Sequence, residues 1–140
     1  MRNNHRSPSL IAVLTVTLLA TWSVLTLDAS ADEKFELTSA VMCETIAGYA
    51  PLGTAVVFSI ERGRVSCFTE FNRVREETTI YHNWYYRDDL ITAKPLTIKP
   101  PRWSTFSSMQ LRDADKGPWR VEITDDNDTL IHTLRFSITD

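Results

Sequence analysis

The chain has 140 residues, is 43% hydrophobic and 24% charged, and carries a net charge of −3 at pH 7. Its acidic balance excludes the basic surplus on which nucleic-acid binding depends, because that affinity comes mostly from neutralising phosphates. Two cysteines and three histidines leave little material for a metal or redox centre.

The N-terminus reads as an export signal. Arg2 and Arg6 precede an uncharged run from Leu10 to Leu27, and Ala29-Ser30-Ala31 then supplies small residues ahead of the acidic Asp32-Glu33. This pattern predicts a signal peptide over residues 1–31, removed after Ala31. The alternative is an uncleaved signal anchor, since the run is just long enough to cross a hydrocarbon layer of about 30 Å. Thr15, Thr17, Thr21, Ser23 and Thr26 weaken it as a permanent span. Both readings export the remainder to the periplasm or cell envelope, free or anchored in the inner membrane, with membrane contact through the N-terminal segment only if it stays uncleaved. Residues 32–140 then form one small domain with 13 basic and 17 acidic side chains.

Cys43 and Cys67 both fall in the exported part, where a pair of thiols with no third cysteine reads as one disulfide. Each alternates onto an apolar face, Cys43 with Val41 and Cys67 with Val65. The closed loop is worth about 3 kcal/mol in the chain-entropy model. The spacing is not CxxC, and no further ligand type lies near enough to make a metal site.

Beyond this point the dominant period is two, with turn residues between short runs rich in Val, Ile, Thr and aromatics, which predicts an all-β domain. A first strand covers about Phe35 to Thr45. The segment from Glu44 to Ala50 has some helical character, kept short by Gly48 and Pro51. "TAVVFSI" and "RVSCFTEF" read as a hairpin through Glu61-Arg62-Gly63, and "TTIYHNWYY" and "LITAKPLTI" as another through Arg87-Asp88-Asp89. Lys99-Pro100-Pro101 breaks pairing before "RWSTFSSMQL" resumes an extended segment. In the last pair, "WRVEIT" and "LIHTLRFSIT", the residues Trp119, Val121 and Ile123 face one way and match Leu134, Phe136 and Ile138. Seven to eight strands of this length suit an antiparallel β-sandwich of the immunoglobulin-like kind.

The ordered set "MCETIAGYAPLGTAVVFSIERGRVSCFTEF", "HNWYY", "RWSTFSS" and "GPWRVEITDDNDTLIHTLRFSI" resembles domain-of-unknown-function family 2914 of bacterial exported or membrane-anchored proteins. The resemblance implies a fold and a compartment but no activity. The chain departs from the family pattern at Ser104 and Met109, where basic residues are usual, and at Asn127-Asp128, where a glycine turn is common.

The run Tyr81-His82-Asn83-Trp84-Tyr85-Tyr86 is the densest aromatic stretch. In a strand, Ile80, His82, Trp84 and Tyr86 share one face and Tyr81, Asn83 and Tyr85 the other. One reading makes Trp84 a core filler with His82 beside it, both belonging to the family motif. The other makes Tyr81 and Tyr85, with Trp103 and Phe106, an aromatic platform for sugar rings or a partner's side chains.

Catalytic chemistry has weaker grounds. Ser107 or Ser108, His82 and an aspartate could be combined on paper, but no nucleophile turn such as GxSxG is present. His82 and His132 show no metal-ligand spacing, and Asp125-Asp126-Asn127-Asp128 lacks the glycine and distal glutamate of a calcium loop. The expectation is therefore a non-catalytic exported binding module without cofactor or metal, whose partner is an envelope protein or a glycan. The alternatives are a structural domain that acts by self-association, including edge-strand pairing, and a dedicated glycan-binding module.

Overall fold

The computed structural model describes residues 33–140. The expected signal peptide or anchor over residues 1–31 lies outside the described residues.

Among the described residues, nine strands form two sheets. They are β1 (Glu36–Ala47), β2 (Ala50–Thr54), β3 (Val57–Ser59), β4 (Arg64–Asn72), β5 (Thr78–Tyr86), β6 (Asp89–Ile98), β7 (Trp103–Gln110), β8 (Gly117–Thr124) and β9 (Leu130–Thr139). One sheet has the order β2-β1-β4-β7 and the other β3-β9-β8-β5-β6. This is the expected immunoglobulin-like sandwich, with one parallel contact, β3 on β9.

The count exceeds the seven to eight expected because the segment between Glu44 and Ser59 holds two short strands and no helix. β1 continues to Ala47, and Gly48 and Tyr49 both take positive φ (57° and 64°), the two-residue turn whose twist matches a hairpin. Ala47 then faces Ala50 and β2 runs back along β1. The expected hairpin through Glu61-Arg62-Gly63 is likewise replaced. A single 3-10 turn, Ile60–Arg62, capped by the Ser59 side chain and ended by left-handed Gly63, carries the chain from one sheet to the other. β3 and β4 therefore do not pair with each other. The hairpins β5–β6 and β8–β9 form as read.

Between the sheets Trp84, Trp119 and Phe136 make the aromatic centre, with Met42, Phe58, Val65, Cys67, Val121 and Ile138 around them. The Trp84 and Phe136 rings meet edge to face with centroids 6.0 Å apart, and Trp119 stacks on Phe136 at 6.2 Å. A second cluster of Phe71, Val74, Ile80, Ile98 and Ile123 fills the other end. The alternation of Trp119, Val121 and Ile123 thus points inward, and Phe136 and Ile138 meet it from β9.

The expected Cys43–Cys67 disulfide is corrected: both residues are free, buried thiols. The register gives the reason. Cys67 lies opposite Met42, and Cys43 lies opposite Ser66. Residues directly opposite share a face, and successive residues alternate, so Cys67 enters the core with Met42 while Cys43 projects from the other side of the sheet. There its thiol is directed to the Ser66 carbonyl at 3.6 Å. One residue of register separates the pair from bonding geometry.

Candidate functional site

β5 brings two different environments to the opposite sides of the aromatic run. On its inner side Ile80, His82 and Trp84 are fully buried. A histidine in that position must satisfy two ring nitrogens away from water. Both are satisfied. Nδ1 lies 2.8 Å from the Ser107 hydroxyl, and Nε2 lies 3.2 Å from the Thr69 hydroxyl. The Trp84 indole N–H also donates to Ser107 Oγ at 3.0 Å, and the Thr69 hydroxyl donates to the Thr105 carbonyl at 3.4 Å.

These ends fix the direction of the chain of bonds. The Thr69 proton goes to the Thr105 carbonyl, so Nε2 donates its proton to Thr69, and a neutral ring then takes the Ser107 proton on Nδ1. Burial keeps His82 neutral, with its proton on Nε2. A second proton on Nδ1 would face the oxygen that already accepts from Trp84 and would leave the Ser107 proton without its acceptor. Burial pushes the His82 pKa down to about 3, and the Lys94 ammonium adds to the effect. Lys94 lies directly across from His82 on β6, and its ammonium donates to the Ser108 carbonyl on β7, tying the two sheets together at that side.

The Ser107–His82 contact has the look of a nucleophile and base, but the geometry gives it a structural task. Both side chains sit in the core, no carboxylate joins them, and the serine proton is already committed. Among the described residues, no three His, Cys, Asp or Glu side chains are grouped so as to hold a metal ion.

On the outer side of β5, Tyr81, Asn83 and Tyr85 stand in a row on the five-stranded sheet. Their cross-strand neighbours are Pro95 and Thr124, Ala93 and Glu122, and Leu90 and Arg120. Strand rise separates the two tyrosines by about 13 Å. Together with Asp128 and the residues between them, they line a shallow trough of about 500 Å³. Arg120 stands beside Tyr85. Its guanidinium lies 4.1 Å from the Tyr85 ring centroid, and it is held there by Glu122 at 2.8 Å, the Arg87 carbonyl at 2.7 Å and Asp88 at 3.2 Å. The Asn83 amide donates to Thr124 Oγ1 at 3.1 Å, which fixes the floor.

The four aromatics read as one platform do not share a surface. Tyr81 and Tyr85 are together, whereas Trp103 and Phe106 belong to β7 in the other sheet. Phe106, 47% exposed, stands on that sheet's outer face opposite Phe68; Trp103 sits at the strand's start, with the Lys99 ammonium 5.9 Å from its ring centroid. Sequence reasoning missed Glu122, Thr124 and Asp128 as trough residues, and Arg120 as the cation held over Tyr85. The available signal was the outward alternation of β8, in which Arg120 and Glu122 fall opposite Tyr85 and Asn83.

Residues 77–138 match the model of a family described as Protein of unknown function (DUF2914). The matched stretch runs from just before β5 into β9, and so includes His82, Trp84, the β7 motif and both strands of the last hairpin; the Cys43 to Phe71 part of the resemblance lies outside it. No curated protein matches the chain.

Proposed function

We propose that this member of DUF2914 is a non-catalytic binding module, exported to the bacterial cell envelope, which takes its partner on the outer face of β5 and β8. The observation that carries the reading is the division of labour within one strand. His82 and Trp84 are spent on the core, while Tyr81 and Tyr85 are held at the surface of a trough. Export rests on the Arg2/Arg6 start, the apolar run and Ala29-Ser30-Ala31.

The trough suits a partner that offers a flat or aliphatic group to each ring and polar groups between them. Aromatic faces provide contact area at little entropic cost, and Asn83, Glu122 and Thr124 supply hydrogen bonds between the rings. A glycan has this mixed character, as does the side-chain row of an envelope protein. Arg120 is already engaged by two carboxylates, so the trough offers no free cation to an anionic ligand.

The test uses the mature chain beginning at Asp32 as bait in envelope extract and in a panel of polysaccharides. Tyr81→Ser and Tyr85→Ser should leave the melting temperature within a few degrees of the parent and abolish capture. Capture that survives both substitutions would place the partner elsewhere on the domain. Mass spectrometry of the native protein checks the compartment: a start at Asp32 fits export with cleavage, and an intact N-terminus fits the anchor.

A further inference from the structure

An edge strand presents a row of N–H and C=O groups that pairs with any extended segment unless something blocks it. The two sheets leave β2, β7, β3 and β6 at their edges. β2 is five residues long and contains Pro51 and left-handed Gly53. β3 has three residues. β6 is longer but carries Asp89, Lys94 and Pro95. β7, "WSTFSSMQ", has eight residues with no charge, proline or glycine among them.

The ladder shows which of its groups turn away from β4. The Leu111 N–H donates to the Gly63 carbonyl at 3.0 Å, just beyond the β4–β7 pairing. Bonded pairs alternate in an antiparallel ladder, so Trp103, Thr105, Ser107 and Met109 turn their backbone groups toward β4. Ser104, Phe106, Ser108 and Gln110 turn theirs outward. The Ser108 carbonyl agrees with this, since it accepts from the Lys94 ammonium and not from β4.

We propose that β7 is a self-association edge. Two copies join their four-stranded sheets by antiparallel pairing of β7 with β7 about a two-fold axis at Phe106, and Lys94 guards the edge until it releases the Ser108 carbonyl. A two-fold contact requires a strand that complements itself. Ser104-Thr105-Phe106-Ser107-Ser108 reads hydroxyl, hydroxyl, ring, hydroxyl, hydroxyl in both directions. Centred on Phe106, the pairing sets Ser104 against Ser108 of the second copy and Thr105 against Ser107, with ring against ring at the axis. No like charges meet, and the outer-face pairs Ser104–Ser108 and Phe106–Phe106 are of a kind favourable across strands, while Ser107 keeps its hydroxyl in the core. The axis also extends an apolar row already present on the outer face, where Val41, Phe68 and Phe106 lie in register across β1, β4 and β7. This surface is on the other sheet from the tyrosine trough, so its fate is independent of the binding reading.

The experiment is sedimentation and light scattering, over a wide concentration range, of the chain as isolated from the envelope. The expected result is a mass that rises from one chain to two. Lys94→Met, which keeps the aliphatic stem but removes the competing donor, should lower the half-association concentration roughly tenfold, the value of one charged hydrogen bond. Phe106→Lys puts two ammonium groups face to face at the axis, and Ser104→Pro removes an outward N–H without touching the ladder to β4. Both should be monomeric, and Ser104→Pro should melt like the parent, which decides the matter if Phe106→Lys fails to fold. The proposal is overturned if the parent and Lys94→Met are both monomeric throughout. A dimer that survives Phe106→Lys and Ser104→Pro overturns it too, as does a mass that changes only when another envelope component is added.

Discussion

The Ser107 hydroxyl donates to His82 Nδ1 across the sandwich, from β7 in one sheet to β5 in the other, at 2.8 Å. Stability therefore depends on that nitrogen remaining unprotonated. The folded His82 pKa, about 3, lies below the ordinary histidine value of 6.5. Between these values the unfolded chain binds a proton that the folded chain does not, so stability rises with pH. The contribution is fully present above about pH 6.5 and is lost as pH falls toward 3. Urea melts at steps from pH 7 to pH 4 should show a slope approaching about 1.4 kcal/mol per pH unit from this residue. His82→Gln should flatten that part of the curve.

Ser107→Ala should cost about 2–5 kcal/mol, because it strands the Trp84 N–H and His82 Nδ1 in the core together. The check is thermal or urea unfolding of the single variant beside Trp84→Phe, which removes the indole donor and leaves the Ser107 to His82 bond in place. The second should be the milder change. Trp84→Ala, which empties the centre of the core, should cost about 3–5 kcal/mol.

Both thiols should be silent toward a thiol reagent in the native protein and should react, two per chain, once it is unfolded without reductant. Burial raises the Cys43 and Cys67 pKa values, and neither residue has any exposed surface. Thiols that appear only after reduction would show that the chain adopts a different β1–β4 register.

Tyr49 should be replaceable by glycine with a gain of about 0.5–1 kcal/mol. It holds φ at 64°, a region costly for any residue with a Cβ, and its side chain is 89% exposed, so no packing is lost. Differential scanning calorimetry of Tyr49→Gly should show a melting temperature raised by a few degrees. Tyr49→Ala should not match it.

What could be read from the sequence was governed by local period. The inward set Trp119, Val121 and Ile123 and the two faces of β5 follow from alternation alone, since a half-buried strand dictates them whatever its partner. Pairing is a different matter. "TAVVFSI" and "RVSCFTEF" flank a Glu-Arg-Gly turn and look locally like a hairpin, but β3 finds β9, eighty positions away, and the intervening 3-10 turn leaves no periodic mark. The two cysteines each sat on an apolar side as expected, yet whether those sides coincide depends on one residue of register. The polar network was hidden for the same reason: Thr69, His82 and Ser107 come from three strands of two sheets. The trough was half legible, its tyrosines from the aromatic run and its β8 residues only once β5 and β8 were known to be neighbours.

The placement of β9 has a consequence for how the domain comes into being. It is the last strand of the described residues, yet it lies inside its sheet, between β3 and β8, and supplies Phe136 and Ile138 to the core. A nascent chain that stops short of Leu130 has no partner for β3 and no lid for Trp119, so it cannot settle into a smaller version of the same domain. Such long-range pairing also makes folding slow compared with helical proteins of equal size. The domain thus stays pliable until the Leu130–Thr139 strand is available to close its sheet.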